Sequence, residues 1–550
     1  MAPPRALALI AATLVALAAL ASCARHTHRP PCPSGALCLV YGNGAEPTAL
    51  DPAHIDGVWE VNIVRELLVG LTRLDERGQV VPGVATSWTT SADGLTWTFH
   101  LRDAQWSDGT PVTADDFVFA IRRVLDPKTA SYSAFTFFPF LKNAQAVNAG
   151  KLPLTAVGVE APDPHTVVLH LSHPLPLLPL YAAGRIMWPV PRHVVERWGD
   201  QWTKPAHYVG DGPYSLVSWR LGDAVVLRKN PRFWDPGQVC YSQIVFSPSP
   251  DATTNERSVQ AGDVDISGAV QSNRVTFLRT TPLRSYLRIA PQFGIYYLPF
   301  NMRDPALKDV RVRQALSMAI DRDFITQKLL RAGQQPAYSL VPRGIDGYPD
   351  GPRTDWADWP LERRQAEARR LLAAAGYGPG HPLSLTITQF NGADALLYMP
   401  SIQADWKAIG VDAALRQEDV QVAYQDLEIH AFQVGTAGWL AFDPIDYLDI
   451  ARSDTGGQNF GQYANPAFDA ELNAAMDSVD PVQRAQHMRS AEAILLADAP
   501  VAPIYYSSSR ALVNPKITGW IGNPLDTHPV NRLCQATLSG GPSVIAAAAP

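Results

Sequence analysis

Along this chain the apolar residues switch repeatedly between a period of two and a period of 3.6, and few architectures accommodate that exchange. From Thr96 to Arg102, Trp97, Phe99 and Leu101 fall on one side and Thr96, Thr98, His100 and Arg102 on the other, which is the pattern of a half-buried strand. Asp93-Gly94 and Asp108-Gly109 flank it as turns. Thr113 and Asp116 then have capping-box spacing, and the helix they open carries Phe117, Ala120, Ile121, Val124 and Leu125 on one face. The aspartates of this stretch, Asp93, Asp108, Asp115 and Asp116, thus have turn and cap explanations, and the stretch reads as scaffold. Leu37–Asn43 and Ala224–Asn230 read as strands, and Gly158–Leu171 as a hairpin turning at Asp163-Pro164. The run 309–330 predicts one helix with Val312, Ala315, Leu316, Ala319 and Ile320 as its apolar face; a second helix from Leu361 is closed by Gly376. Strands and helices alternate without a solenoid repeat, so the class is mixed α/β.

Charge and chemistry exclude several functions. A net charge of −6 with no cluster of Lys and Arg argues against a nucleic-acid partner, because phosphate neutralisation needs concentrated positive charge. There is no G-x-S-x-G elbow, no H-E-x-x-H and no P-loop, and the one glycine cluster, Gly376–Gly380, has Pro379 where a phosphate-cradling N–H is needed. The paired carboxylates Asp115-Asp116 and Asp443 with Asp446 do not by themselves make an acid/base site. The expectation is a protein that is not an enzyme and needs no cofactor or metal.

At the N-terminus, Arg5 precedes an apolar run from Ala6 to Ala19, short for a spanning helix and right for a secretory signal. It ends in Leu20-Ala21-Ser22-Cys23, which resembles a bacterial lipobox. Residues 1–22 are therefore read as a signal peptide, and 23–36 as a lipidated Cys23 followed by a flexible tether. The last stretch, 538–550, reads as an unstructured end. The mature chain is expected outside the cytoplasm, in the periplasm or at the cell surface, held to a membrane by lipid. Cys32, Cys38, Cys240 and Cys534 remain, an even number in an oxidising compartment. Three connectivities are open, and no CxxC supports zinc.

The stretches PGVATSWTTSADGLTWTFHLRDAQWSDGTPVTADDFVFAIRRVLDP, VVLRKNPRFWD, QAGDVDI, LKDVRVRQALSMAIDRDFI, ARRLLAAAGY and NPAFDAELNAAM follow one another in an order that resembles the family 5 extracytoplasmic solute-binding proteins of oligopeptide and dipeptide ABC transporters. The resemblance runs from about residue 38 to residue 534. It implies a type II-like periplasmic-binding-protein fold of two lobes and a hinge, monomeric, in three domains. Domain I is discontinuous (24–72, 190–290 and 508–550); domain II spans 73–189 and domain III 291–507. Two chain crossings form the hinge, and the partners are a peptide ligand and the membrane permease. With Cys240 and Cys534 both in domain I, the favoured disulfides are Cys32–Cys38 and Cys240–Cys534.

The resemblance also implies a ligand site: Glu60 and Asn62, Tyr132 and Phe135, and the segment 435–449, where Gly438 and Trp439 match the family's Gly-Trp pair and Tyr447 adds an aromatic. Two departures stand out. Peptide receptors of this type carry an aspartate three residues after the tryptophan to pair with the ligand's α-ammonium; here that position is Phe442, and Asp443 is expected to take its place. The often basic position before Ala437 is Thr436. An aromatic cleft without paired charge anchors also suits an oligosaccharide, and a metal chelate or haem would call on His430.

Overall fold

The computed structural model describes residues 29–536 apart from 250, 269, 350, 456 and 457. The predicted signal segment, Cys23 and the C-terminal end lie outside the described residues.

The chain opens on β1 (Cys38–Gly42), and α1 (Val58–Leu67) follows. Next come β2 (Ala85–Thr90) and β3 (Thr96–Leu101), the helix α2 (Ala114–Leu125), and the hairpin β4 (Val159–Asp163) and β5 (Thr166–His170). These four strands make an antiparallel sheet in the order β2-β3-β5-β4. The alternation of β3 turns Trp97, Phe99 and Leu101 inward, where Phe99 meets Phe117 and Ile121 of α2 in one core. The capping box forms as its spacing predicts: Thr113 N–H donates to Asp116 at 2.9 Å.

A nine-stranded sheet organises the rest. It takes in β6 (Tyr214–Arg220), β7 (Ala224–Lys229), β8 (Gln243–Ser247), β9 (Ile266–Ser267) and β10 (Leu287–Pro299). Beyond β10 lie α3 (Val310–Ala319), α4 (Leu361–Ala374), β11 (Leu383–Phe390), α5 (Ala393–Ala408) and β12 (Val411–Glu418). They are followed by β13 (Val434–Gly435), β14 (Ala437–Leu440), α6 (Pro444–Asp449), α7 (Pro466–Asp477), α8 (Pro481–Asp498) and β15 (Val501–Val513). The large sheet runs β14-β10-β15-β9-β1-β8-β7-β6, with the short ninth strand Gln335–Pro336 pairing β15 off this path, so β14 is an edge. The strands β11, β12 and β13 form a separate parallel sheet.

Two lobes result, because the buried apolar residues separate. One large core joins residues 39–266 with 511–533, and the other half packs its own cores from residues between 295 and 505. The strands β10 and β15 run antiparallel between the lobes, from Leu287 opposite Leu512 to Pro299 opposite Val501, and their register breaks between Pro291 and Ile295. Both favoured disulfides are present, Cys32–Cys38 and Cys240–Cys534. One expectation fails: the helix predicted over 309–330 stops at Ala319, where Asp321 caps a new turn through Phe324 N–H at 3.0 Å. The next residue, Arg322, is wholly buried and donates to Pro503 O and Ser317 O at 2.8 and 2.9 Å, a geometry that a straight helix would not satisfy.

Candidate functional site

The site follows from the edge strand β14. Its inner edge pairs with β10, Trp439 opposite Ile295 and Leu440 opposite Gly294. Gly438 turns its N–H outward to the Tyr424 hydroxyl at 3.1 Å, and by strand alternation Leu440 turns its backbone groups the same way, with no further strand beyond. Gly438 fits its place because a Cβ there would lie 3.1–3.4 Å from the Tyr296 ring.

Beside this edge lies a cavity of about 330 Å³ lined from both lobes. Phe135, Phe140, Leu175 and Tyr181 come from the first; Trp439, Leu440, Phe442 and Ile445 come from the second. The lobes touch across it: the Tyr181 hydroxyl donates to Asp446 Oδ2 at 3.0 Å, and His173 meets Asp477 at 2.8 Å. The walls are apolar, but the Trp439 indole N–H is buried without an acceptor. In a finished core such a donor is paired.

Three carboxylates border the cavity, in unlike states. Asp443 is 2% exposed and already engaged: Oδ1 accepts from Ile445 N–H at 3.0 Å as the cap of α6, and Oδ2 accepts from Arg484 at 2.8 Å. The expectation that Asp443 replaces the missing aspartate as an ammonium partner therefore does not fit its geometry. Asp449 lies 3.2 Å from Arg452. Asp446 is only half-buried, and among the described residues its carboxylate accepts one hydrogen bond, from Tyr181. Burial and then the neighbouring charge of Asp443 push its carboxyl up to about 7.

A further cavity of about 410 Å³ joins Gln271 and Arg510 to Tyr296, Asp394 and Tyr398. There Arg510 donates to Val270 O at 2.9 Å and lies 3.9 Å from Asp394.

The other expected site residues divide. Phe135, Trp439 and Phe442 come together in the first cavity, with Gly438 in the strand beside it. Glu60 does not join them; it is 3% exposed and accepts from Thr48 Oγ1, Thr48 N, Asp56 N and Gly57 N, which closes the start of α1. Tyr447 is fully buried, its hydroxyl shared between Ala441 and Phe293, so it stiffens the loop after β14 from behind. Asn62 donates to Asn43 at 3.3 Å, and Tyr132 is exposed outside the cavity. His430 is bound to Phe460 O at 2.9 Å and to Gln462 at 2.8 Å, away from either cavity. Among the described residues no group of three or more His, Cys, Asp or Glu is arranged to hold a metal, and no helix is long and apolar enough to cross a membrane.

The family model of the bacterial extracellular solute-binding proteins, family 5, middle region, matches residues 79–459. The chain belongs to that family. This family 5 protein is 35% identical over 505 residues to the periplasmic oligopeptide-binding protein OppA of Salmonella typhimurium, across 90% of this chain and 92% of the relative. Its fold is similar to the structure of the Escherichia coli murein tripeptide binding protein MppA, with a TM-score of 0.78, 34% identity, and coverage of 91% and 99% of the two chains. Haemophilus influenzae OppA in complex with RPPGFSPFR gives a TM-score of 0.76 at 31% identity, over 91% of this chain and 99% of that one.

Sequence reasoning about this family 5 protein named Asp446 only as a carboxylate paired with Asp443 and ranked Asp443 above it, and it did not name Tyr181 or Arg484. The spacing of Asp443 and Asp446 in the motif says only that both sit at a helix start. Arg484 is 41 positions away from Asp443, and no local pattern announces it.

Proposed function

We propose that this protein is the binding component of an ABC importer and captures extended peptides between its lobes. The peptide backbone lies along the outer edge of β14 at Leu440, next to the Gly438 groups that Tyr424 holds, and a side chain enters the cavity of Trp439, Phe135 and Phe140. The α-ammonium sits against Asp446. One observation carries this reading: a carboxylate that faces an apolar interlobe cavity beside an edge strand, with no cation among the described residues bonded to it. A peptide terminus supplies both the missing charge and the missing strand. The similarity to receptors named for oligopeptides and a murein tripeptide supports the same ligand class.

The crossing strands β10 and β15 are the hinge, flexing where the register breaks at Pro291 opposite Ser508, the proposed boundary between domains I and III. The protein works outside the cytoplasm, anchored by acylated Cys23, and performs no turnover. Native mass spectrometry of the purified protein tests the ligand class: a set of peptide masses is expected. A hexose ladder, or a metal chelate, would overturn the reading, as would hydrolysis of added peptides that follows the purified protein.

A further inference from the structure

Behind Phe442 lies a third cavity, of about 190 Å³, between α1, the segment Leu180–Trp188 and the C-terminal residues Thr527–Asn531. Three arginines line it, Arg65, Arg73 and Arg185, and their partners are unequal. Arg185 donates to Asp56 at 3.0 Å and to Ser133 at 3.1 Å. Arg73 donates to Pro82 O at 3.3 Å, lies 3.7 Å from Asp235 and packs on Trp234. The Arg65 side chain makes no hydrogen bond to any described residue, and its Nε is shut away from solvent without an acceptor. Neither of the two carboxylates that act on Arg65 is hydrogen-bonded to it, and one oxygen of Glu66, Oε2, is itself buried without a partner among the described residues. Glu66 accepts from Val530 N–H at 2.7 Å, and burial pushes it up to about 7; Asp526 is bound by His528 at 3.1 Å. A guanidinium stays charged in proteins, and leaving one partly buried without an anion is unfavourable unless a ligand supplies the anion.

Phe442 is the shared wall: it lines this arginine cavity and the apolar cavity that holds Asp446. A ligand terminus passing Phe442 thus has a carboxylate on one side and an unpaired guanidinium on the other. We propose that the arginine cavity binds a carboxylate on the first residue of the ligand, so that the receptor selects peptides beginning with an acidic side chain. This rests on the peptide reading above for the occupant, though not for the charge the cavity takes. Arg65 is the specificity-determining residue, because its fork can grip a carboxylate with two parallel hydrogen bonds.

The test is calorimetry with Glu-Ala-Phe-Ala and its neutral isostere Gln-Ala-Phe-Ala on the wild type, Arg65→Met and Phe442→Asp. The wild type is expected to bind the glutamyl peptide at least tenfold more tightly. Arg65→Met should remove that preference. Phe442→Asp, at a position 38% exposed, should remove it as well by placing a tethered carboxylate beside Arg65, whatever that carboxylate adds to the ammonium site for both peptides alike, so the test stands even if Arg65→Met does not fold. Equal binding of the two peptides to the wild type overturns the proposal and leaves the peptide reading intact. If neither peptide binds, the peptide reading fails, and glutarate alone decides the cavity. A melting temperature raised by glutarate in the wild type but not in Phe442→Asp supports an anion site; no rise overturns it.

Discussion

Asp446→Asn offers the sharpest test of the ammonium site, because the same carboxylate controls binding, its pH dependence and the stability of the empty protein. In the empty cleft its carboxyl is pushed up to about 7 by burial and Asp443. A ligand ammonium requires the ionised form, so near pH 6 the incoming peptide must displace a proton. With about nine-tenths of the carboxyl ionised at pH 8 and about one-tenth at pH 6, and about half of the peptide's own α-amino groups neutral at pH 8, the affinity for Ala-Phe-Ala should fall about fivefold from pH 8 to pH 6, or about 1 kcal/mol. Calorimetry in two buffers of different ionisation enthalpy should register net proton release near pH 6 and net proton uptake near pH 8, where the peptide's own amino group must be protonated to bind. Asp446→Asn should flatten this profile and weaken binding at pH 8 by about 2–5 kcal/mol. N-acetylating the peptide should do the same to the wild type, with little added loss in the variant. Stability moves in the opposite direction. A carboxyl raised in the folded state binds more protons there than in the unfolded chain between about pH 4 and 7, so its penalty grows as pH rises through that window. Empty Asp446→Asn should therefore melt above the wild type at pH 8, with the difference vanishing below about pH 4. If free and acetylated peptides bind the wild type equally and neither shows a slope through pH 7, Asp446 is not the ammonium partner.

Arg484→Met should strand Asp443 as a buried charge and destabilise the protein by about 3–5 kcal/mol in urea unfolding, with Asp443→Asn on top of it recovering part of the loss. Glu60→Gln should leave peptide affinity unchanged. Although burial alone raises the Glu60 carboxyl, the hydrogen bonds from Thr48, Gly57 and Asp56 hold it below its ordinary value, so its contribution is present at neutral pH and is lost as pH falls through that lowered pKa. The variant should thus melt lower by about 1–2 kcal/mol at pH 7, and the gap should close in acid. Cys23→Ser should appear in the soluble fraction or remain unprocessed; a processed variant that still sediments with membranes after a high-salt wash would exclude the lipid anchor.

Much of the scaffold is readable from short-range physics. β3, the capping box of α2, the β4–β5 hairpin and β7 lie where alternation and turn residues place them, because each is decided by neighbours within a few positions. The single helix expected over 309–330 fails for a non-local reason, since Arg322 is drawn into the core by the carbonyls of Pro503 and Ser317. The site fails in the same manner. Asp443 and Asp446 are indistinguishable as letters three apart, and only Arg484 of α8 and Tyr181 of the other lobe separate a neutralised cap from a carboxylate facing the cleft. Glu60 reads equally well as a ligand contact and as a cap, and Thr48 decides between them. Arg65 sits in a helix whose sequence carries no motif, and its isolation is visible only once the walls around it are assembled.

The strand β14 is hydrogen-bonded to β10 over Gly294–Tyr297, directly after the register break at Pro291. An occupant on its outer edge therefore lengthens the same sheet whose flexure brings the lobes together. On the proposed reading, the receptor would sense its cargo mechanically. Each added backbone pair contributes to the bending rigidity of the ribbon, so how far an occupant extends along the edge sets how freely the joint swings. Under the importer reading proposed above, a permease would distinguish loaded from empty receptor by the stiffness of the joint as well as by the disposition of the lobes.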